Sequence, residues 1–412
     1  MGIHRFIPWI VFVCVSVMLA RFSEAANWPM FRGPIGTGHV KGDSLPVKWD
    51  AKSIVWKTKL NGVGQSSPVT WGNRIFVTSA TGNGKTRSVI CLDRSKGQIV
   101  WEKSIECATP EKTHGMNGWA TPSCATDGER VVAFFGAGGL HCYDLKGIKQ
   151  WSRDLGSFPS NWGAAASPLI LDNMVIQNYD AVGPSYLIAL DKKNGEQIWK
   201  TKRRDKPRGG WSTPIVAEVE KKREIILNGQ FGVAGYDPAD GKELWFCKAF
   251  NGRGSPMPEF AGGKVFVVGG QPGDTYCVRP GGSGDVTQTH MAWHAKRIGG
   301  RDLPSPIVLG NYLFVTSMSG IASCYSTSDG KILWTERLGN KMRISASPME
   351  AKGLIYIQTE SGETIVVKAG ASLKIVSRNT LGETPGEIFR STLVPSNGRV
   401  LIRSSHTLYC VK

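Results

Sequence analysis

Several large classes are excluded by what this 412-residue sequence lacks. It has no Gly-X-Y period despite its 50 glycines, so it is not collagen-like. With 20% charged and 41% hydrophobic residues it is neither a disordered chain nor a multi-span membrane protein. Acidic residues are scarce, 33 against 50 Lys and Arg, for a formal charge of +17. No Ser-His-Asp, zinc or phosphate-loop motif stands out, and Gly136-Ala137-Gly138-Gly139 reads as a strand-to-strand turn because no helix follows it. The only long apolar stretch, Ile7 to Ala20, is too short for an ordinary membrane span.

That stretch belongs to residues 1–25, which read as a secretory signal peptide. Arg5 forms a short positive n-region, and Ser23-Glu24-Ala25 offers small residues for cleavage. An uncleaved anchor helix is the alternative. A lipoprotein signal needs a cysteine just after the apolar run, whereas Cys14 lies inside it. Cleavage leaves one net positive charge fewer than the full sequence carries. In an exported protein such a charge points away from nucleic acid and towards an acidic protein, lipid surface or anionic polysaccharide. The expected location is periplasmic or extracellular, with no transmembrane segment after cleavage, and the expected state is a monomer.

What is abundant is tryptophan, 14 residues, and it is periodic. Trp56, Trp101, Trp151, Trp199, Trp245, Trp293 and Trp334 recur at intervals of 41 to 50, and an eighth step reaches Val376, where the tryptophan is lost. A second marker runs in phase: Ser67-Pro68, Thr121-Pro122, Ser167-Pro168, Thr213-Pro214, Met257-Pro258, Ser305-Pro306, Ser347-Pro348 and a degenerate Ser391-Thr392. Both count eight units. Each unit holds short β-type runs between turns, too short and too Gly-broken for helical repeats. Four short strands per unit of about 40–45 residues predict an all-β, eight-bladed β-propeller of four-stranded antiparallel blades. A solenoid, the alternative, does not explain four-strand units.

The turn before each tryptophan has a mechanism. Asp93…Gly97…Trp101, Asp191…Gly195…Trp199 and Asp237…Gly241…Trp245 share one spacing, Ser326…Gly330…Trp334 replaces the aspartate, and Asp144…Gly147…Trp151 is one residue shorter. Aspartate bonds the backbone N–H groups of its own turn, and glycine accepts the positive φ. Each indole should then lie across the seam and donate to a carbonyl of the neighbouring sheet. The last unit ends at Lys412 without a fourth strand, and Ser53 to Lys59 around Trp56 should complete it, abolishing an open edge. The domain reading is residues 26–52 as a turn-rich lead-in and 53–412 as the propeller. Cys91, Cys142, Cys277, Cys324 and Cys410 occupy one slot of different repeats, too far apart for bridges, and read as small buried thiols.

The Ala-x-Asp-x-x-x-Gly-x-x-x-Trp pattern, cleanest from Ala189 to Trp199, resembles the repeat of the PQQ quinoprotein propellers over nearly all of the mature chain. The opening Trp28-Pro29-Met30-Phe31-Arg32-Gly33-Pro34 resembles a group of exported PQQ-like propellers. That resemblance implies one of two functions: a non-catalytic, BamB-like scaffold that binds an envelope or extracellular protein or an anionic ligand, or a dehydrogenase of alcohols or sugars using PQQ and calcium. The sequence departs from the dehydrogenases. It has no adjacent cysteines for a vicinal disulfide, no Cys-x-x-Cys-His for covalent haem, and little room for their insertions. BamB is a lipoprotein, unlike the expectation for Cys14 here. The scaffold is therefore the expected reading, with no catalytic residues, no metal and no cofactor, and PQQ with calcium only under the alternative.

In a propeller, the loops entering the innermost strands ring the channel mouth. Arg253, Arg301 and Arg343 each stand five residues before a marker proline, so they are expected to converge on one side and to suit a carboxylate or phosphate. Trp119 and Trp211, each three residues before a proline, and Trp162 after Asn161 are expected to add flat faces opposite. The plainer alternative is solvated arginines and channel-filling tryptophans. Lys202 to Arg208 reads as a solvated loop. His290 and His294 are placed on one strand around Trp293, and His114, in the longest inter-blade loop, is a lone histidine without further support.

Overall fold

The computed structural model describes residues 27–42, 44–204, 209–249, 253–270, 273–296 and 303–412. The signal-peptide reading lies outside them. Short β-rich runs alternate with tight turns and fold into eight antiparallel sheets in a ring. Blade 1 comprises Val69–Trp71, Arg74–Thr81, Thr86–Asp93 and Ile99–Glu106, from the channel outwards. Blades 2 to 7 start at Ala125–Thr126, Leu169–Leu171, Ile215–Val219, Glu259–Ala261, Ile307–Leu309 and Met349–Ala351. Blade 8 holds Val394–Ser396, Arg399–Arg403 and Thr407–Val411, and its outer strand is Ile54–Lys59 from the start of the chain. Among the described residues no helix is long and apolar enough to cross a membrane.

Each seam repeats one device. A bulge in the outer strand places the tryptophan opposite a small residue of the third strand: Cys91 for Trp101, Cys142 for Trp151, Ala189 for Trp199 and Cys324 for Trp334. The shared cysteine slot is thus the floor beneath the indole, where bulk has no room. All eight described cysteines are buried and unbridged. Outwards, the Trp56, Trp101, Trp151, Trp199 and Trp293 rings pack on turn glycines of the next blade, Gly97, Gly147, Gly195, Gly241 and Gly330. Gly195 has φ +72°, and a Cβ there would sit 2.7 Å from the Trp151 ring. That glycine serves its own turn and the neighbour's indole at once. The N–H groups of Trp101, Trp151, Trp199, Trp293 and Trp334 donate to Leu145, Lys192, Pro238, Thr327 and Gly370 carbonyls at 2.8–3.1 Å.

Two tryptophans break this expectation. Trp245 donates instead to Glu224 Oε2 of its own blade (2.7 Å), because blade 5 has no Asp-Gly turn to receive it. A longer connection stands there, and its Gly284–Asp285 pairs parallel with the outer edge of blade 4. The buried Trp56 N–H has no partner. In blade 7 the bulge register places Ser377, not Val376, at the tryptophan position, and its hydroxyl donates to Val47 O.

The inner strands are locked by a belt of hydroxyls. Backbone N–H groups of Ser67, Ser123 and Ser167 donate to Ser123, Ser167 and Thr213 side chains at 2.9 Å, and Thr392 donates to Ser67 at 2.9 Å. Met257 and Ser305 donate to Ser305 and Ser347 at 3.0 Å. Each such bond contributes roughly 1 kcal/mol. The belt corrects the second marker: in blade 2 the structural equivalent is Ser123-Cys124, two residues after Thr121-Pro122.

The lead-in is more than a linker. Trp28 pairs with Thr70 of blade 1, Pro29 accepts from Thr126 of blade 2, and His39–Val40 runs parallel to the inner strand of blade 7. Residues 28–40 therefore fill the channel from the face that carries the Asp-Gly turns. Arg32, fully buried, reaches Pro306 O at 2.7 Å and Glu259 Oε2 at 3.4 Å. His39 joins Glu259 and Glu350 at 3.2 and 2.7 Å.

Candidate functional site

Above this plug the channel opens as a cup of about 200 Å³. The repeat register builds it. The residues two before the belt position form its wall, one per blade: Gln65, Thr121, Ala165, Trp211, Ser255, Leu303, Ser345 and Arg390. Belt hydroxyls and Phe31 of the plug close the bottom. The strand ladder fixes the backbone at these positions, while the side chain at each is unconstrained by the repeat. The wall therefore varies from blade to blade, with seven residue types at eight positions.

The rim is set by loops. Residues 107–118 fold over the mouth and contribute His114, Met116 and Asn117. Asn117 Nδ2 donates to Trp162 O at 2.8 Å, fixing that loop to the next one. Trp162 is held between the His114 ring (centroids 4.7 Å apart) and the Arg253 guanidinium, 4.2 Å from its ring centre. Trp211 is pinned by its N–H to Gly163 O at 2.9 Å. Both indoles are thus pre-set faces with little entropy left to lose.

Arg390 is bound on Glu360 at 3.1 and 3.3 Å and donates to Gly115 O at 3.0 Å. Burial pushes the Glu360 pKa up, but the hydrogen bonds from Arg390 and Ser345 and the charges of Arg390 and Arg343 outweigh it and leave that carboxyl below its usual value. Glu360 stays ionised and keeps Arg390 in place. No aspartate or glutamate is among the described residues lining the cup. Two lining atoms, Gln65 Oε1 and Thr121 Oγ1, are buried and have no hydrogen-bond partner.

Of the expected arginine trio, the described residues place two apart. Arg253 lines the cup, Arg343 stands outside it, 60% exposed and 3.6 Å from Glu360, and Arg301 lies outside the described residues. Five residues before the proline is the wrong frame, since loop lengths differ between blades; two before the belt is the frame the backbone enforces. Arg390 supplies the second cation and was missed, although its place two before Thr392 matches Trp211 before Thr213. Trp162 and Trp211 are in the cup. Trp119 is not: it packs on Gly84 and donates to Glu111 O at 2.8 Å, bracing the 107–118 loop from behind. Asn161 is exposed and outside the lining. His114, a lone histidine in the sequence, belongs to the rim because its loop folds inwards.

Two other readings change. Arg203 is not solvated: it is paired with the buried Asp180 at 3.1 Å and with the Tyr236 hydroxyl, and residues 205–208 of that loop lie outside the described residues. His290 ends a one-turn helix, Thr287–His290, and only His294 is on the strand, 2.9 Å from Asp274. Among the described residues no group of three or more His, Cys, Asp or Glu is placed to hold a metal ion.

The family model described as outer membrane protein assembly factor BamB matches residues 40–162, 85–305 and 284–375. The BamB of Burkholderia pseudomallei is 22% identical over 75% of this chain and 86% of its own length. That of Bordetella pertussis is 22% identical over 81% and 89%. Among solved structures, BamB from Moraxella catarrhalis aligns with TM-score 0.63 at 16% identity, over 87% of this chain and 99% of that one. A europium-containing methanol dehydrogenase aligns with TM-score 0.72 at 10% identity, over 93% and 98%. Those identities speak for the fold alone. The family match, spanning most of the chain, says more: this protein belongs to the PQQ-like, BamB-type propeller family.

Proposed function

We propose that this chain is an exported, non-catalytic propeller that works as a binding scaffold in the cell envelope or outside it, with the channel-mouth cup as its binding site. One observation carries the reading: the cup is closed at its foot, with two pinned indoles, two arginines and no carboxylate among its described lining residues. Such a surface recognises and holds; it offers no acid–base pair. Relatives named as outer membrane protein assembly factors support an envelope protein as one partner.

The second reading, a PQQ-dependent dehydrogenase, draws on the methanol dehydrogenase likeness and on the indole and arginine faces. Calcium takes six to eight oxygen ligands, carboxylates foremost. The described lining residues supply no carboxylate, and Glu360 is committed to Arg390 and Ser345. The donor set does not suit calcium with PQQ. Purified protein given PQQ and calcium should show no dye-linked oxidation of alcohols or sugars and no saturable PQQ spectrum. Turnover under those conditions would overturn the scaffold reading.

A further inference from the structure

We propose that the open outer edge of blade 8 takes up an acidic, extended segment of a partner protein as an added strand. This surface goes beyond the cup and shares no residue with its lining. The chain itself shows the mode on blade 4. There Gly284–Asp285 lies parallel to the outer strand Glu243–Lys248. Phe246 O accepts from the Val286 N–H at 2.9 Å, and the Lys248 N–H donates to Thr287 Oγ1 at 2.8 Å. The added residue is acidic. Hydrogen bonds from Thr287, and then the charges of Arg204 and Lys248, hold the Asp285 carboxyl below its usual value.

Blade 8 presents the equivalent edge without a cover. Counted from the tryptophan, Lys57 and Lys59 stand where Phe246 and Lys248 stand on blade 4. The Leu60 N–H donates inwards to His406 O at 2.7 Å, so alternation along the ladder turns the N–H and C=O groups of Lys57 and Lys59 outwards. Ile54–Lys59 ends its sheet, with no strand beyond it among the described residues. The strand is already held from the blade 1 side, where Trp56 packs on Gly97 and Thr58 Oγ1 donates to Gly97 O at 2.6 Å. An incoming segment therefore meets a formed template. Both lysines are exposed, and among the described residues neither ammonium has an ion-pair or hydrogen-bond partner. Their charges select the occupant. They repel a second copy of the same edge and any basic strand, whereas carboxylates at alternate positions of a strand can pair with both. The outer strand of blade 1, Ile99–Glu106, mixes Glu102 and Glu106 with Lys103 and has no such stripe. On blade 3 Trp199-Lys200-Thr201-Lys202 repeats the tetrapeptide of residues 56–59, but there the Lys200 ammonium lies over the Tyr186 ring at 3.7 Å.

Fluorescence anisotropy of the purified chain tests this with three labelled peptides: one alternating valine and aspartate, its asparagine counterpart, and an N-methylated aspartate form that cannot extend a ladder. The aspartate peptide should bind saturably and at least about fivefold more tightly than either control. Lys57→Gln with Lys59→Gln should weaken it about fivefold, and Lys103→Gln on blade 1 should leave it unchanged. Lys59→Pro removes the same charge as Lys59→Gln and also an outward N–H that the fold does not use, so it should weaken binding about fivefold beyond Lys59→Gln. Amide exchange across Ile54–Lys59 should slow when the aspartate peptide is bound. The paired glutamines and the exchange readout decide the matter even if the proline variant unfolds. Equal affinity for the aspartate and asparagine peptides, full affinity in the paired variant, or no binding by any peptide overturns the proposal. Dimerisation of the free chain that Lys59→Pro abolishes assigns the edge to a second copy and overturns the acidic partner. None of these variants touches the cup lining, so failure here leaves the cup reading standing.

Discussion

Replacing His39 by glutamine should make the channel plug insensitive to alkaline pH. The ring bridges two carboxylates of different blades, Glu259 and Glu350, at 3.2 and 2.7 Å, and Arg32 shares Glu259. Burial pulls the imidazole pKa down, but hydrogen bonds and charges of both carboxylates more than compensate and raise it to about 9. Burial outweighs His39 and Arg32 and holds the Glu259 carboxyl above its ordinary value. We take Glu259 as ionised, because a neutral form would leave the buried Arg32 charge uncompensated. A cation favoured by folding contributes stability that is fully present below its unfolded pKa of 6.5 and is lost as pH rises through about 9. At 1.36 kcal/mol per pKa unit the ceiling is about 3 kcal/mol. Screening of a ring whose side chain is 26% exposed brings it nearer 2 kcal/mol. Urea unfolding from pH 6.5 to 10 should therefore show wild type losing about 2 kcal/mol more than His39→Gln. Exchange of the Glu350 amide, which donates to Gly38 O at 2.9 Å, should accelerate over the same window in wild type only. Parallel pH curves for the two proteins would refute the coupling.

Three further outcomes follow from the packing. Gly195→Ala combines an unfavourable φ of +72° with a Cβ 2.7 Å from the Trp151 ring, so it should cost about 2–3 kcal/mol in urea midpoints, and an unchanged midpoint would show the seam to be loose. Arg203→Met strands the buried Asp180 carboxylate and should cost about 3 kcal/mol; Arg203→Met with Asp180→Asn should recover part of it, and additivity of the two would deny the pair. Burial pushes the Cys91, Cys124 and Cys142 thiols up to about 12, so Ellman's reagent should leave the described cysteines unreacted in native protein at pH 8 and titrate them in urea. Rapid native reaction would contradict their burial.

The repeat was legible because the seam is chemically demanding. An indole needs a flat glycine turn on one side and a small residue on the other, so Gly195, Trp151 and Cys142 leave a periodic trace in the sequence. The belt left a trace as well, in hydroxyls at Ser67, Ser167, Thr213, Ser305 and Ser347, although the prolines beside them drew attention one residue away and misplaced blade 2. The plug left almost none. Arg32 and His39 make their contacts across more than 200 residues, with Glu259 and Glu350, and no local spacing encodes such partners. The site was half legible for a related reason. Arg253, Trp162 and Trp211 stand near the markers that frame the mouth, whereas Arg390 becomes visible only when the frame is counted from the belt.

A symmetric scaffold acquires an asymmetric site where its repeat fails, and two of the failures here share one seam. Between blades 4 and 5 the belt is interrupted, because Met257 replaces the hydroxyl that would accept from Thr213. At the outer end of the same seam Trp245 turns back to Glu224, whose pKa is raised by burial, and the inserted Gly284–Asp285 covers the edge. Inside, the backbone of Trp211 bonds Gly254 O at 3.2 Å, seating Arg253 one residue away from the break and over Trp162. At the mouth, Arg253 of the blade 4–5 connection meets Trp162, an indole supplied from the loop between blades 2 and 3. These departures from the repeat lie beside the cup, and restoring the consensus at Met257 alone would test packing without touching the cup's lining.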